Sequence, residues 1–447
     1  MTAAKAGTKS LAELGLTAKA GREARITGLS VDSRYTKAGH LFAALPGTRV
    51  HGATFIKYAL RMGATAILTD AAGAKLAADE LAASDAALII AEDPRQALAY
   101  TAALWFGRQP EVVVAVTGTN GKTSVANFTR QIWTLLGLTA ANLGTTGVEG
   151  AFHAPLQHTT PDPITLHNLL ARMAEAGVSH AAMEASSHGL AQRRLDGVTL
   201  KAAAFTNFTQ DHLDYHANFD DYFAAKAGLF DRVLPEEGCA VINLDDPKGT
   251  KMAEIAESRG QDVISVGHSA WADLRILAQR FDATGQDLRF VWAGDTHQVR
   301  LNLIGGFQAE NVLLAAALAI AVDEDPNDVF DVLPDLAGVR GRMQLAATRD
   351  NGAAVFVDYA HTPDALKTAL MALRPHVMGR LVVVFGAGGD RDTGKRPLMG
   401  QEAACHADVV FVTDDNPRSE VPADIRAAIM AGCPEANEVG DRAEAIL

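Results

Sequence analysis

Short apolar runs, each followed by a glycine or polar turn and then a helix-like stretch, recur along the chain. Val112–Val116 reads as a buried strand, followed by a Gly-rich turn and a helical segment over 124–136. His180–Met183, Ala202–Phe205, Ala240–Leu244, Ala354–Val357, Leu381–Phe385 and Val409–Val412 repeat the pattern. Alternation of this kind predicts an α/β fold of layered parallel sheets, with ligands at the carboxyl ends of the strands. No repeat with a 20–50-residue period is present. Gly107-Arg108-Gln109-Pro110 and Leu333-Pro334-Asp335-Leu336-Ala337-Gly338 break the pattern. They predict three domains, 1–108, 109–337 and 338–447.

Composition narrows the class. The 447 residues are 48% apolar and 21% charged, as in a globular chain. The longest uninterrupted apolar run, Val312 to Val322, falls short of the roughly 20 residues of a membrane span. The N-terminus lacks a signal-peptide core, and the three cysteines show no CxxC spacing, so a reducing, cytoplasmic setting is expected. A net charge of −13 has the wrong sign for a nucleic-acid binder. The expectation is a monomeric enzyme with no membrane or nucleic-acid partner.

Thr117-Gly118-Thr119-Asn120-Gly121-Lys122-Thr123 lies between a strand and a helix, where backbone N–H groups cradle phosphate. Lys122 is placed to reach the β- and γ-phosphates and the Thr123 hydroxyl to reach Mg²⁺. The loop is shortened, since Val116 stands where the full Walker pattern has glycine. Glu184 and His212 follow two further strands and open on the same edge if the sheet is parallel. Glu184 is a candidate Mg²⁺ ligand. His212 is either a ligand or a structural, capping histidine, since magnesium prefers oxygen. A helix is expected over 219–234 with Asp220 as N-cap. It places Lys226 on the apolar face of Phe223, Leu229 and Phe230. Such a lysine either snorkels to solvent or is desolvated, and a neutral amine can add CO₂ to give a metal-binding carbamate.

Taken in order, VDSR, TGTNGKT, TTPDP, MEASSHGL, NFTQDHLDYH, the AAK helix, GRM, DYAHTPDAL, GGDRDTGKRP and DNPR resemble the Mur ligase family of ATP-dependent amide-bond synthetases. The similarity covers nearly the whole chain. It implies an N-terminal UDP-binding domain, a central P-loop ATPase domain and a C-terminal Rossmann-like domain. The implied reaction adds meso-2,6-diaminopimelate to the D-Glu γ-carboxylate of UDP-MurNAc-L-Ala-D-Glu in peptidoglycan precursor synthesis, using ATP and Mg²⁺. Alternatives are the same chemistry with lysine, a glutamate ligase acting on a folate-type acceptor, or a nucleotide-binding protein that never forms an amide.

By resemblance, Lys226 is the family's carbamylated lysine, and Thr123, Glu184, His212 and that carbamate hold the metal. Gly118, Thr119, Asn120, Gly121, Lys122 and Thr123, with Asn311, Arg342 and His361, are implied around ATP. Ser33 is implied at the uridine diphosphate, and Thr159, Thr160, Ser186, Gln192 and Arg194 at the Ala-Glu stem. Arg391 and Asp415-Asn416-Pro417-Arg418 are implied at the incoming amino acid, Arg418 being suited to hold the carboxylate that distinguishes diaminopimelate from lysine. The family's Gly-Lys-Gly-His-Glu segment does not occur before Leu447. Either the chain is a fragment of a longer protein or those contacts to the incoming amino acid are lost.

Overall fold

The computed structural model describes residues 7–21, 23–47, 50–209, 215–282 and 284–447. A short antiparallel pair, β1 (Lys9–Ser10) and β2 (Arg25–Ile26), precedes a parallel sheet. That sheet comprises β3 (Gly28–Ser30), β4 (His40–Ala43), β5 (Ala66–Thr69) and β6 (Ala87–Ile90), in that order. Its strands bury both faces, with Leu41, Ala43 and Leu68 on one side and Phe42 and Ile67 on the other. Both faces covered is why these strands read as apolar runs rather than as alternation. The helix Pro94–Phe106 closes this part. Asp93 caps its N-terminus, Pro94 fits the first turn, and Gly107 ends it in the left-handed conformation at φ 65°.

The next sheet has ten strands: β7 (Val112–Thr117), β8 (Ala140–Gly144), β9 (Gly147–Gly150), β10 (His180–Glu184), β11 (Ala202–Phe205), β12 (Cys239–Asn243), β13 (Asp262–Gly267), β14 (Leu274–Asp282), β15 (Gly285–Trp292) and β16 (Asp295–Leu301). Their spatial order is β16-β15-β14-β13-β12-β11-β7-β10-β8-β9. From β14 to β8 every pair is parallel. Period-two geometry divides each strand between two cores. Val114, Val116, Ala182 and Ala204 face the helices Lys122–Leu135 and Phe307–Ile320, through Val125, Phe128, Val312 and Leu313. Val113, Ala115, Met183 and Phe205 face the helix Pro163–Glu175 and the segment around Phe223 and Phe230. Burying each large apolar side chain contributes roughly 1.5–3 kcal/mol. Because the strands from β14 to β8 run parallel, their carboxyl ends lie at one edge.

Several expectations need correction. The parallel reading fails for Ala354–Val357. This strand, β18, pairs antiparallel with β17 (Gln344–Thr348) in a two-stranded hairpin. The meander β14–β16 is also antiparallel, as is β9 against β8. The helix expected to run continuously over 219–234 is α-helical over Phe219–Gly228 and becomes a π-turn over Leu229–Val233. Its cap is Asn218, whose side chain accepts from the Asp221 N–H, whereas Asp220 lies inside the first turn. A last parallel sheet, β19 (Val382–Phe385), β20 (Val409–Val412) and β21 (Asn437–Glu438), packs on Leu366, Leu370, Met399 and Ile425. Among the described residues no helix is long and apolar enough to cross a membrane.

Candidate active site

The loop after β7 reaches the helix Lys122–Leu135 without any side-chain cap. The positive end of the helix dipole thus faces the loop, where an anionic ligand is stabilised. Two glycines make this loop buildable. Gly118 and Gly121 have φ 147° and 85°, and a Cβ at Gly118 would lie 1.8 Å from Thr206 Oγ1. The loop is laced to the chain beyond β11: Thr119 N–H donates to Asn207 O at 2.8 Å, and Asn120 N–H to Asn207 Oδ1 at 2.8 Å. Thr206 Oγ1 donates to Asn120 O at 2.6 Å. Lys122 Nζ folds over the loop and donates to Gly118 O at 2.9 Å and Thr119 O at 2.7 Å. Asn311 is buried directly against it, its Oδ1 lying 2.7 Å from a Cβ built on Gly121.

One strand away, Glu184 ends β10 with 2% of its surface exposed. Its Oε1 accepts from Thr145 N–H at 2.7 Å and its Oε2 from Thr145 Oγ1 at 3.2 Å. Thr145 also meets Thr159 at 3.1 Å, and Thr160 Oγ1 donates to Glu184 O at 2.9 Å. Ser186 N–H donates to that same Thr160 hydroxyl, and Ser186 Oγ caps the short helix Ser187–Ala191. Arg194 donates to Thr160 O at 2.5 Å and to Gln192 Oε1 at 2.8 Å; Gln192 Nε2 in turn donates to Tyr215 OH at 3.1 Å. Thr159, Thr160, Ser186, Gln192 and Arg194 therefore form one connected patch beside Glu184. Thr145 belongs to this constellation without any sequence signal, and Asn207 and Tyr215 join it from the NFTQDHLDYH motif, where no role had been assigned to them.

Lys226 is 1% exposed, which removes the snorkelling alternative. Its Nζ donates to Gly118 O at 2.6 Å and stands 4.4 Å from the centre of the Tyr222 ring. The Tyr222 hydroxyl reaches Thr119 Oγ1 at 3.2 Å, so the Phe219–Gly228 helix is fixed directly to the phosphate loop. His212 lies outside the described residues.

Arg342, beyond the central sheet, reaches the start of the helix that follows the loop. Its Nη2 donates to Thr123 Oγ1 at 3.2 Å while its guanidinium lies 5.1 Å from the Tyr359 ring centre. His361 follows β18 and is exposed; its Nδ1 lies 3.0 Å from Tyr359 O, and its carbonyl accepts from Lys395 Nζ at 2.8 Å. Arg391 is exposed on the loop after β19. Arg418 follows β20 with φ 49°, and its guanidinium donates to Gly389 O. Gly389 N–H donates to Asn416 O at 2.9 Å, and a Cβ there would lie 1.9 Å from Pro417 O. Asp415 Oδ1 accepts from Asn416 N–H. The structure thus brings the 388–391 and 415–418 loops together, and the described contacts of Arg418 stay within this part. Ser33 opens a short 3₁₀ turn capped by Asp32, at the end of the four-stranded sheet.

An uncapped P-loop helix beside a buried carboxylate, at the common edge of a parallel sheet, defines a phosphoryl-handling α/β enzyme. The chain belongs to the Mur ligase family. It matches the Mur ligase family catalytic domain over 25–105, the Mur ligase middle domain over 116–319, and the Mur ligase glutamate ligase domain over 341–447. It is 50% identical to UDP-N-acetylmuramoyl-L-alanyl-D-glutamate–2,6-diaminopimelate ligase of Caulobacter vibrioides, over 94% of this chain and 86% of that one. The protein of that name from Brucella melitensis is 48% identical, over 95% and 86%. A solved structure of a UDP-N-acetylmuramoyl-L-alanyl-D-glutamate–2,6-diaminopimelate ligase superposes with TM-score 0.74 at 34% identity, covering 98% of this chain and 90% of the other. Folylpolyglutamate synthase of Mycobacterium tuberculosis, solved with ADP, shares the fold with TM-score 0.65 at 20% identity, over 77% and 84%.

Proposed function

We propose that the chain is an ATP-dependent ligase that adds meso-2,6-diaminopimelate to the D-Glu γ-carboxylate of UDP-MurNAc-L-Ala-D-Glu, in peptidoglycan precursor synthesis. One observation carries the chemistry: the phosphate loop, Glu184 and the Thr160–Gln192–Arg194 patch share one edge of the sheet. A carboxylate seated on that patch lies beside the γ-phosphate of ATP held on the loop. The identity to relatives named for this reaction supports the choice of substrates.

In this reading the segments 1–108, 109–337 and 338–447 hold the UDP end, ATP and the incoming amino acid. Gly118, Thr119, Asn120, Gly121, Lys122 and Thr123 cradle the phosphates, and Asn311, Arg342 and His361 approach the nucleoside and phosphates. An acceptor γ-carboxylate oxygen attacks the γ-phosphorus, and the bond to ADP breaks. Lys122 and the loop N–H groups hold the charge that develops. The diaminopimelate amine then attacks the acyl carbon and phosphate leaves with the C–O electron pair. The amine sheds a proton and the amide forms. Arg391 and Arg418, with Asp415, Asn416 and Pro417, orient the amino acid.

The Glu184 carboxylate and the Thr123 hydroxyl are oxygen donors of the kind Mg²⁺ takes. With His212 and Lys226 as its carbamate they are the proposed holders of that ion. When bound, it would neutralise phosphate charge. Burial of Lys226 against the phosphate loop, with its Nζ at Gly118 O, supports the carbamate reading. Phosphate release with ATP, UDP-MurNAc-L-Ala-D-Glu and a panel of amino acids tests the function. It should require both acceptor and diaminopimelate, and release without an amino acid, or with lysine preferred, would refute it.

A further inference from the structure

Gln192 and Arg194 turn inward to Tyr215 and Thr160, but Arg193 between them turns away. Its backbone sits at φ 60°, a left-handed conformation unfavourable for a side chain with a Cβ, so something must hold it there. Its partners are Asp93, whose Oδ2 accepts from Arg193 Nε at 2.8 Å, and the buried Asp196, whose Oδ2 lies 3.7 Å from Arg193 Nη1. The other Asp93 oxygen caps the helix Pro94–Phe106, accepting from the N–H groups of Arg95 and Gln96 at 3.2 and 3.1 Å. Gln96 Nε2 then donates to Asp196 Oδ2 at 3.3 Å. Arg232 donates to that oxygen at 2.9 Å and to Leu190 O at 2.9 Å. The Asp196 side chain is 1% exposed. The backbones also meet, since a Cβ at Gly197 would lie 2.5 Å from Ala99 O. One turn of the central sheet is bolted to the helix that closes the four-stranded sheet.

We propose that Asp93 and Arg193 are positioning residues for the acceptor substrate. They fix the distance between the site for its nucleotide-diphosphate end, on the four-stranded sheet, and the Gln192–Arg194 patch for its peptide carboxylate. This inference rests on the acceptor reading above. A ligand spanning two rigid parts binds well only if both ends are met at once, and a loosened turn therefore weakens the acceptor alone. ATP touches neither Asp93 nor Arg193 in this reading, so its binding is a built-in control.

The test uses the full chain with Asp93→Asn, Arg193→Gln, the double variant and Arg193→Lys. Asn keeps the helix cap while removing the charge, which protects the fold. The single variants should raise KM for UDP-MurNAc-L-Ala-D-Glu roughly tenfold, with kcat and the KM for ATP within about twofold of the parent. The double variant should be no worse than Arg193→Gln alone, because that change already removes the Asp93 contact together with the one to Asp196. Arg193→Lys should recover most of the lost affinity. An unchanged acceptor KM alongside a lower melting midpoint would show a purely structural pair and overturn the proposal. So would equal losses towards ATP and acceptor. If the parent itself makes no amide from this acceptor, the functional reading fails and takes the inference with it.

Discussion

Gly144 has hydrogen where any other residue would collide with the site. A Cβ there would lie 1.9 Å from Glu184 Oε1 and 2.5 Å from its carboxyl carbon. Gly144→Ala is expected to push that carboxylate off Thr145, lowering turnover at least tenfold and raising the Mg²⁺ concentration needed for half-maximal rate. Titrating turnover against Mg²⁺ checks this; an unaltered Mg²⁺ dependence would show that Glu184 is not a metal holder. Arg418 poses the opposite question, because its backbone at φ 49° favours glycine. Arg418→Gly relieves the backbone while removing the guanidinium, so any loss belongs to the side chain. Diaminopimelate use should fall sharply in that variant and lysine use much less. Equal loss of both, in kcat/KM measured side by side, would make Arg418 structural.

Among the elements, the helix Pro163–Glu175 carries a buried titratable group. Burial pushes the His167 imidazole down to about 4 from its ordinary 6.5, and its Nε2 has no hydrogen-bond partner among the described residues. The unfolded chain takes up this proton first. The stability His167 allows is fully present above pH 6.5 and declines as pH falls towards about 4. His167→Gln should therefore flatten the loss of melting temperature between pH 7 and pH 4.5, and an unchanged slope would contradict the assignment. Other elements differ in how openly the chain declares them. The strands β7, β10, β11 and β12 were legible because burial on both faces leaves uninterrupted apolar runs, while β19 and β20 are all-apolar runs although alternate positions stay partly exposed. The meander β14–β16 was not. Leu274, Ile276, Leu288, Phe290 and Leu301 bury one face while Arg, Gln and Asp fill the other, which dilutes the apolar signal. Within the site, Lys122, Glu184 and Lys226 stood out by residue type and position after a strand or on an apolar helix face. Thr145, Asn207 and the Asp93–Arg193 pair acquire their meaning only from neighbours distant in sequence.

Across the whole molecule, the parts are joined by a few specific contacts. The Gln131 side-chain amide both donates to Ala337 O at 3.0 Å and accepts from Ala337 N–H at 2.8 Å, imitating a strand partner for the linking segment. His376 accepts from Gly305 N–H at 3.2 Å and meets Asp282 O through its other nitrogen. The lacing of the phosphate loop to Thr206 and Asn207 has a consequence for the order in which function is acquired. About ninety residues separate the two halves of that cradle, so the motif at 117–123 is a site only after a long loop has closed. Nucleotide affinity is then a report on assembly of the sheet, in the way a lock tests whether a door has met its frame. A chain ending at residue 200 keeps every residue of the motif yet should bind no ATP, whereas ATP should raise the melting midpoint of the full chain. Saturable nucleotide binding by that fragment, measured by fluorescence, would show that the local loop suffices.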